Sequence, residues 1–225
     1  MATNSMECVC DSCDLDSSGW LSAGTMSEKS LKHLVILIKG AGEMATGVAE
    51  RLYRANFRQI LMLETASPLA VRRRVSFCEA VHDSIMTVEG IEGVRVSNAY
   101  EVRAAWQKGQ IAVRVDPTWE SLHEFRPEVV IDAILAKRNL GTRMEEAPLV
   151  LGMGPGFVAG KDCHLVVETN RGHNLGRLIE EGAAEPNTGV PGNIGGYTRE
   201  RVLRAPASGT FVTQKKLGDA VIKGE

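Results

Sequence analysis

The sequence predicts an α/β protein built on a mostly parallel, doubly wound sheet. Three observations carry this. Short apolar runs alternate with helix-period segments from His33 onward. A glycine turn, Gly40-Ala41-Gly42, joins the first apolar run to the first helical pattern. Gly40, Glu64, Asp116 and Asp132 stand at the ends of four expected strands. In a parallel sheet those ends share one edge, and ligands sit beyond it.

Val35-Ile36-Leu37-Ile38 reads as a buried strand. The helix after the turn runs through Val48, Ala49, Leu52 and Tyr53. Gly40 permits the turn. Gly42 lets a backbone approach a pyrophosphate, and Ala45 or Gly47 allows helix to pack on strand. Ile60 to Leu63 is the second strand, and Glu64 follows at the distance of a ribose-binding acid. Pro68 precedes a helix-like stretch from Leu69 to Ala80. Met86–Val88 and Val94–Val96 suggest a hairpin around Glu89 to Gly93. Ala99 to Lys108 is helical and Gly109 stops it. Ile111 to Val115 is a strand ended by Asp116-Pro117. A short helix over Leu122 to Arg126 leads to the strand Val129 to Ile131.

From Leu149 to Gly196 glycine is dense. Leu151-Gly152-Met153-Gly154-Pro155-Gly156-Phe157 reads as a shaped loop rather than a helix or a central strand, with N–H groups turned to a ligand or another chain. His164 to Val167 is a further strand. It delivers Glu168, Thr169, Asn170, Arg171, Gly172 and His173 to the shared edge. Glu168 and His173 are candidates for proton transfer, histidine being the side chain whose ordinary pKa lies near neutrality. Asp132 and Lys137 complete the candidate catalytic set. Arg171 is a candidate anion clamp, with Asn170, Gly154 and Gly156 beside it as substrate-binding residues. Gly40, Gly42, Ala45, Gly47 and Glu64 are the candidate cofactor-binding set, for a nucleotide or a dinucleotide. The other reading is that these glycines serve packing alone. Glu64 followed by Thr65 leans toward NAD over NADP. Arg72, Arg73 and Arg74 could meet a phosphate or form a solvated face.

The 225 residues suffice for one large α/β domain. A formal net charge of -2 gives no sign of a nucleic-acid binder. No segment has the apolar length of a bilayer span, and no basic stretch precedes an apolar run at the N-terminus. A cytoplasmic protein with reduced thiols is expected. Residues 1–31 are Ser- and Asp-rich without a core pattern, and they read as a disordered leader before an α/β domain over 32–200. Cys8, Cys10 and Cys13 in that leader lack a fourth local ligand for a closed zinc site, but a soft-metal or redox tract stays open. No metal ligands are assigned. Over 201–225, Ala205-Pro206-Ala207-Ser208-Gly209 and Gly218-Asp219-Ala220-Val221-Ile222-Lys223-Gly224 are similar to the first half of a biotinyl/lipoyl barrel. The half carrying a modifiable lysine is missing, which reads as a shortened chain or one paired with a partner.

Several long runs carry a wider resemblance: Ile38 to Gly47, Pro68 to Arg73, Asp132 to Arg143, Gly154 to Phe157, Val167 to His173 and Pro191 to Tyr197. Together they resemble the YqeB-type family of selenium-dependent molybdenum hydroxylase system proteins, from about His33 to the last residue. The resemblance implies an accessory or maturation role toward a molybdenum hydroxylase client. It implies no settled reaction. The fold expected is Rossmann-like. The other functions open to these residues are an NAD(P)-dependent oxidoreductase and a non-catalytic interaction scaffold. A phosphate-bearing small molecule is the expected ligand, and an oligomer is possible.

Overall fold

The structure is a computed structural model and describes residues 31–202 and 204–222. The expectations for the leader, including its three cysteines, lie outside these residues.

The chain forms β1 (Val35–Lys39), α1 (Glu43–Arg54), β2 (Gln59–Glu64), α2 (Ala80–Asp83), β3 (Ile85–Val88), β4 (Ile91–Val96), α3 (Ala99–Gln107), β5 (Ile111–Val115), α4 (Ser121–Phe125), β6 (Val129–Asp132), β7 (Leu149–Met153), β8 (Val158–Ala159), β9 (Leu165–Val167), β10 (Leu178–Ile179) and β11 (Gly182–Ala183). Nine strands make one sheet in the order β10-β9-β7-β6-β1-β2-β5-β4-β3. Every pair from β9 to β4 is parallel, and only β10 and β3 at the edges run antiparallel. β8 and β11 pair separately.

Central strands are buried on both faces, so their sequences are continuous apolar runs rather than alternations. On one face Ile36, Ile38, Ile60, Met62, Ile111 and Val113 pack under Ala45 and Ala49 of α1 and under Phe77 to Val81. On the other, Leu37, Leu61, Ala112, Val130 and Val150 pack under Val102 and Ala105 of α3 and under Phe157. The hairpin β3–β4 forms about the turn Glu89–Gly90. Asn98 caps α3 by accepting from Glu101 N–H at 3.0 Å.

Three expectations are corrected. First, no helix runs from Leu69 to Ala80. Residues 66–72 are irregular, and two 3-10 turns, Arg73–Val75 and Phe77–Glu79, precede α2. The N–H groups that a helix would use point elsewhere. Phe77 N–H donates to Thr46 Oγ1 at 2.9 Å, and Cys78 N–H donates to the Ala41 carbonyl at 2.8 Å. Second, Leu149 to Met153 is an internal strand despite its glycine. A Cβ on Gly152 would lie 2.4 Å from Cγ of the Phe157 ring, so the missing side chain is the space that Phe157 fills. Third, the tail forms no strand among described residues 202 and 204–222. Phe211, Val212, Val221 and Ile222 are exposed there. Apolar residues without a facing layer gain nothing from extended pairing.

Candidate functional site

The order of the strands places the candidate site. From β1 the chain moves one way, to β2. It later crosses back to β6 on the other flank of β1 and continues outward to β7 and β9. The direction of winding therefore reverses between β1 and β6. At such a switch point the two adjoining loops leave in opposite senses and open a crevice.

That crevice holds a cavity of about 220 Å³. Gly40, Gly42, Glu43 and Met44 form one wall, Ala133, Ile134 and Leu135 the other, and Glu64 and Leu69 the flank. Gly40 has φ +93, and a Cβ there would lie 3.3 Å from the Ala133 carbonyl and from Ile134 N and Cα. Backbone conformation and close approach both demand glycine at this position. Gly42 is different. Its backbone is extended, and a Cβ would meet nothing within 4 Å. Neither strain nor packing explains the glycine; it leaves room at the start of α1. Ala45 is fully buried against the sheet and does the packing. Gly47 lies on the exposed side of α1, outside the cavity lining, with open space at its Cβ.

The glycine turn is pinned from three sides. Ala41 N–H donates to Glu64 Oε2 at 2.9 Å. The Ala41 carbonyl accepts from Cys78 N–H at 2.8 Å and from the Thr46 hydroxyl at 3.1 Å. Glu64 Oε1 accepts from Thr65 N–H at 2.7 Å. Glu64 thus holds the turn through both of its oxygens. Glu43, at the first turn of α1, accepts from Arg72 N–H at 2.8 Å and ties the 65–72 segment across the helix start. Burial opposes ionisation of Glu43, but its own N–H, those of Arg72 and Val71, and the Arg72 charge outweigh it and hold the carboxyl below the usual range.

Asp132 also ends at this edge, but its oxygens are engaged. Oδ1 accepts from Ile134 N–H at 3.2 Å and Oδ2 from the Thr142 hydroxyl at 2.7 Å. Behind it lies a residue that local sequence patterns did not single out. Lys39, the last residue of β1, is fully buried. Its ammonium donates to Thr142 Oγ1 and to Glu146 Oε2, each at 2.7 Å, and sits 3.5 Å from the centre of the Trp119 ring. Burial lowers the Lys39 pKa, and the Glu146 and Asp132 carboxylates only partly restore it. The available signal was an ionisable residue closing an otherwise apolar central strand, which must find a partner.

The remaining candidates spread along the edge. Lys137 is exposed, with φ +62, two residues after Leu135 at φ +59. Non-glycine residues in this region carry strain. Gly154 N–H donates to the Val167 carbonyl at 2.8 Å, joining the ends of β7 and β9. Gly156, at φ +116, passes so close to Arg138 that a Cβ would lie 2.6 Å from its backbone N and Cα. Glu168 is buried and spent: Oε1 accepts from Asn170 N–H and Oε2 from Glu185 N–H, each at 2.7 Å. Asn170 donates in turn to the Glu185 carboxylate, which also accepts from Asn174 at 3.1 Å. These two amides hold Glu185 below the usual carboxylate range. Arg171 and His173 are exposed. Glu168 and Asn174 line a separate cavity of about 780 Å³ over residues 174–186. β9 lies three strands from β1, about 14 Å at the usual strand spacing. One edge therefore carries Gly40, Asp132 and Glu168, but the lining of the switch-point cavity includes neither Glu168 nor Arg171.

Asp116, at the end of β5, accepts from Ser121 N–H at 2.7 Å and Glu120 N–H at 3.1 Å and so starts α4. Cys78 and Cys163 are buried free thiols. Burial, with the Glu64, Glu79 and Glu43 carboxylates, pushes Cys78 up to about 12, and burial pushes Cys163 up to about 11. Among the described residues no group of three His, Cys, Asp or Glu is placed to hold a metal. No helix among them is long and apolar enough to cross a membrane.

No family model matches the chain, and no solved structure matches it. A protein of Escherichia coli (strain K12) named "Uncharacterized protein YqeB" is 51% identical over 193 residues, 86% of this chain. The chain spans 36% of that relative's length. Identity at this level over most of the chain supports the YqeB-type family that the sequence motifs resemble.

Proposed function

We propose that the switch-point cavity binds the phosphate-bearing part of a nucleotide-type ligand. On this reading the fold is Rossmann-like, and the protein serves selenium-dependent molybdenum hydroxylases in the cytoplasm as an accessory or maturation factor. The carrying observation is Gly42: open space at its Cβ, at the N-terminus of a 12-residue helix, on the cavity wall. Helix N-termini favour anions through their free N–H groups and dipole. The lining contains no cationic side chain and two carboxylates, so the helix start supplies the attraction. A cavity of about 220 Å³ is below the usual ligand-pocket range of roughly 300–1,000 Å³. It suits one portion of the ligand, with the rest passing out over Leu69.

Binding is favoured over turnover by what surrounds the cavity. Asp132, Lys137, Glu168 and His173 all lie outside the lining, and the two carboxylates within it, Glu43 and Glu64, already accept backbone N–H groups. An oxidoreductase would need a proton carrier at the ligand. Calorimetry with ADP, NAD, NADP and a molybdopterin nucleotide tests the reading. At least one should bind, and Gly42→Val should abolish binding without unfolding the protein. If none binds, the nucleotide reading of this cavity fails.

A further inference from the structure

The geometry points to Thr142 as a positioning residue for the ligand cavity, transmitting the buried Lys39 charge through Asp132 to the wall formed by residues 133–135. The inference rests on the cavity being a binding site.

A continuous chain of bonds carries it. The Lys39 ammonium donates to Thr142 Oγ1 at 2.7 Å, and that hydroxyl donates to Asp132 Oδ2 at 2.7 Å. The other Asp132 oxygen accepts from Ile134 N–H at 3.2 Å. Ile134 is the residue packed against Gly40 across the crevice, and it lines the cavity with Ala133 and Leu135. The direction of each bond follows from chemistry. An ammonium can only donate, so the Thr142 oxygen must accept from it, and its single proton is left for Asp132. The carboxylate is thereby fixed in place, and Oδ1 is aimed at Ile134.

The wall needs such an anchor. Leu135 and Lys137 both hold positive φ without being glycine, a conformation that persists only when its surroundings impose it. A buried ion pair adds little to stability compared with apolar residues of the same size. Fixing the geometry of a strained loop is a use that apolar residues could not serve. The Thr142 backbone is held separately, because its N–H donates to Asn139 Oδ1 and its carbonyl accepts from Asn139 Nδ2. Removing the hydroxyl alone therefore leaves the turn in place.

Thr142→Val keeps the shape and deletes the hydroxyl. Thr142→Ser keeps the hydroxyl and deletes a methyl group. Amide hydrogen exchange, read on peptides covering residues 133–142, and ADP titration are measured on the full chain for both variants. Thr142→Val should speed exchange at residues 133–135 at least tenfold while β2 and β5 exchange as in wild type, and should weaken ADP at least fivefold. Thr142→Ser should match wild type in both. Unchanged exchange in Thr142→Val, or Thr142→Ser as damaging as Thr142→Val, overturns the proposal. If ADP binds none of the three proteins, the nucleotide reading with this probe fails, and the exchange result still decides the role of Thr142.

Discussion

Replacing Lys39 by Met removes an ammonium from a site where three groups depend on it. Glu146, 7% exposed at its side chain, loses its counter-ion at 2.7 Å. Thr142 Oγ1 loses a donor at 2.7 Å, and Trp119 loses a cation 3.5 Å from its ring centre. Leaving one charge of a buried pair uncompensated costs about 3–5 kcal/mol. The cation–π contact adds about 1–2 kcal/mol where both groups are desolvated. Lys39→Met alone should therefore lose roughly 3–5 kcal/mol, with Glu146 recovering part of its hydration because it is not fully enclosed. The double variant Lys39→Met/Glu146→Leu removes both charges. It should return to within about 1 kcal/mol of wild type, because apolar replacement of a buried pair is near neutral. Urea unfolding of the four proteins in the cycle measures the coupling directly. The sign with pH follows from the lowered lysine pKa. Below its folded value Lys39 is charged in both states, and burial of that charge costs stability in full. The cost fades as pH rises from that value toward about 10.4, where the unfolded lysine also loses its proton. This residue alone thus makes stability rise with pH across that window, and Lys39→Met should erase that component. A Lys39→Met protein as stable as wild type, or a double variant no better than the single, would refute the reasoning.

Gly40→Ala should cost about 1–3 kcal/mol through its φ of +93 and its 3.3 Å approach to the β6 loop, while Gly42→Ala should leave the denaturation midpoint within error. Asp116→Ala should destabilise by about 0.5–2 kcal/mol at neutral pH. Burial opposes its charge, but the bonds from Ser121 and Glu120 depress its pKa, so the stabilisation is full above about pH 4 and fades as pH falls through the folded value. Cys78 and Cys163, pushed up to about 12 and about 11, should react with an alkylating reagent at pH 7.5 only as fast as the fold opens. Mapping by mass spectrometry checks this, and fast labelling of either would show that its burial is local and easily lost.

The strands β1, β2, β5 and β6 of the parallel sheet were readable because each is a short apolar run bounded by glycine, proline or an acid. β1, β2, β5 and β6 fall within a residue or two of where periodicity puts them. The glycine turn was readable for the same local reason. The Lys39 network was not. Thr142 and Glu146 lie 103 and 107 residues away in the chain, and no local period encodes such a contact. The segment after Pro68 carries a helical pattern in its apolar residues, yet Thr46 and Ala41 claim its N–H groups from another element. There tertiary bonds override local preference. Glu168 was singled out for its place after a strand, correctly located on the edge. Its engagement with Asn170 and Glu185 depends on a return of the chain that spacing alone does not reveal. β7 was masked by Gly152, whose role is legible only once the Phe157 ring is seen to fold back over it.

The contact between Gly156 and the Arg138 backbone bears on how this region can vary among related sequences. Two separate loops, 135–141 and 154–157, share one space at which neither has a side chain to yield. A flexible neighbour could absorb an added methyl group by rotating, but backbone at 2.6 Å cannot. Substitution at 156 should therefore be accepted only together with a change in length or path of the segment around 138. Relatives that keep the glycine should keep the 135–141 length, and those that lose it should carry an insertion or deletion there. The two loops would be inherited as a unit, although 18 positions separate their points of contact.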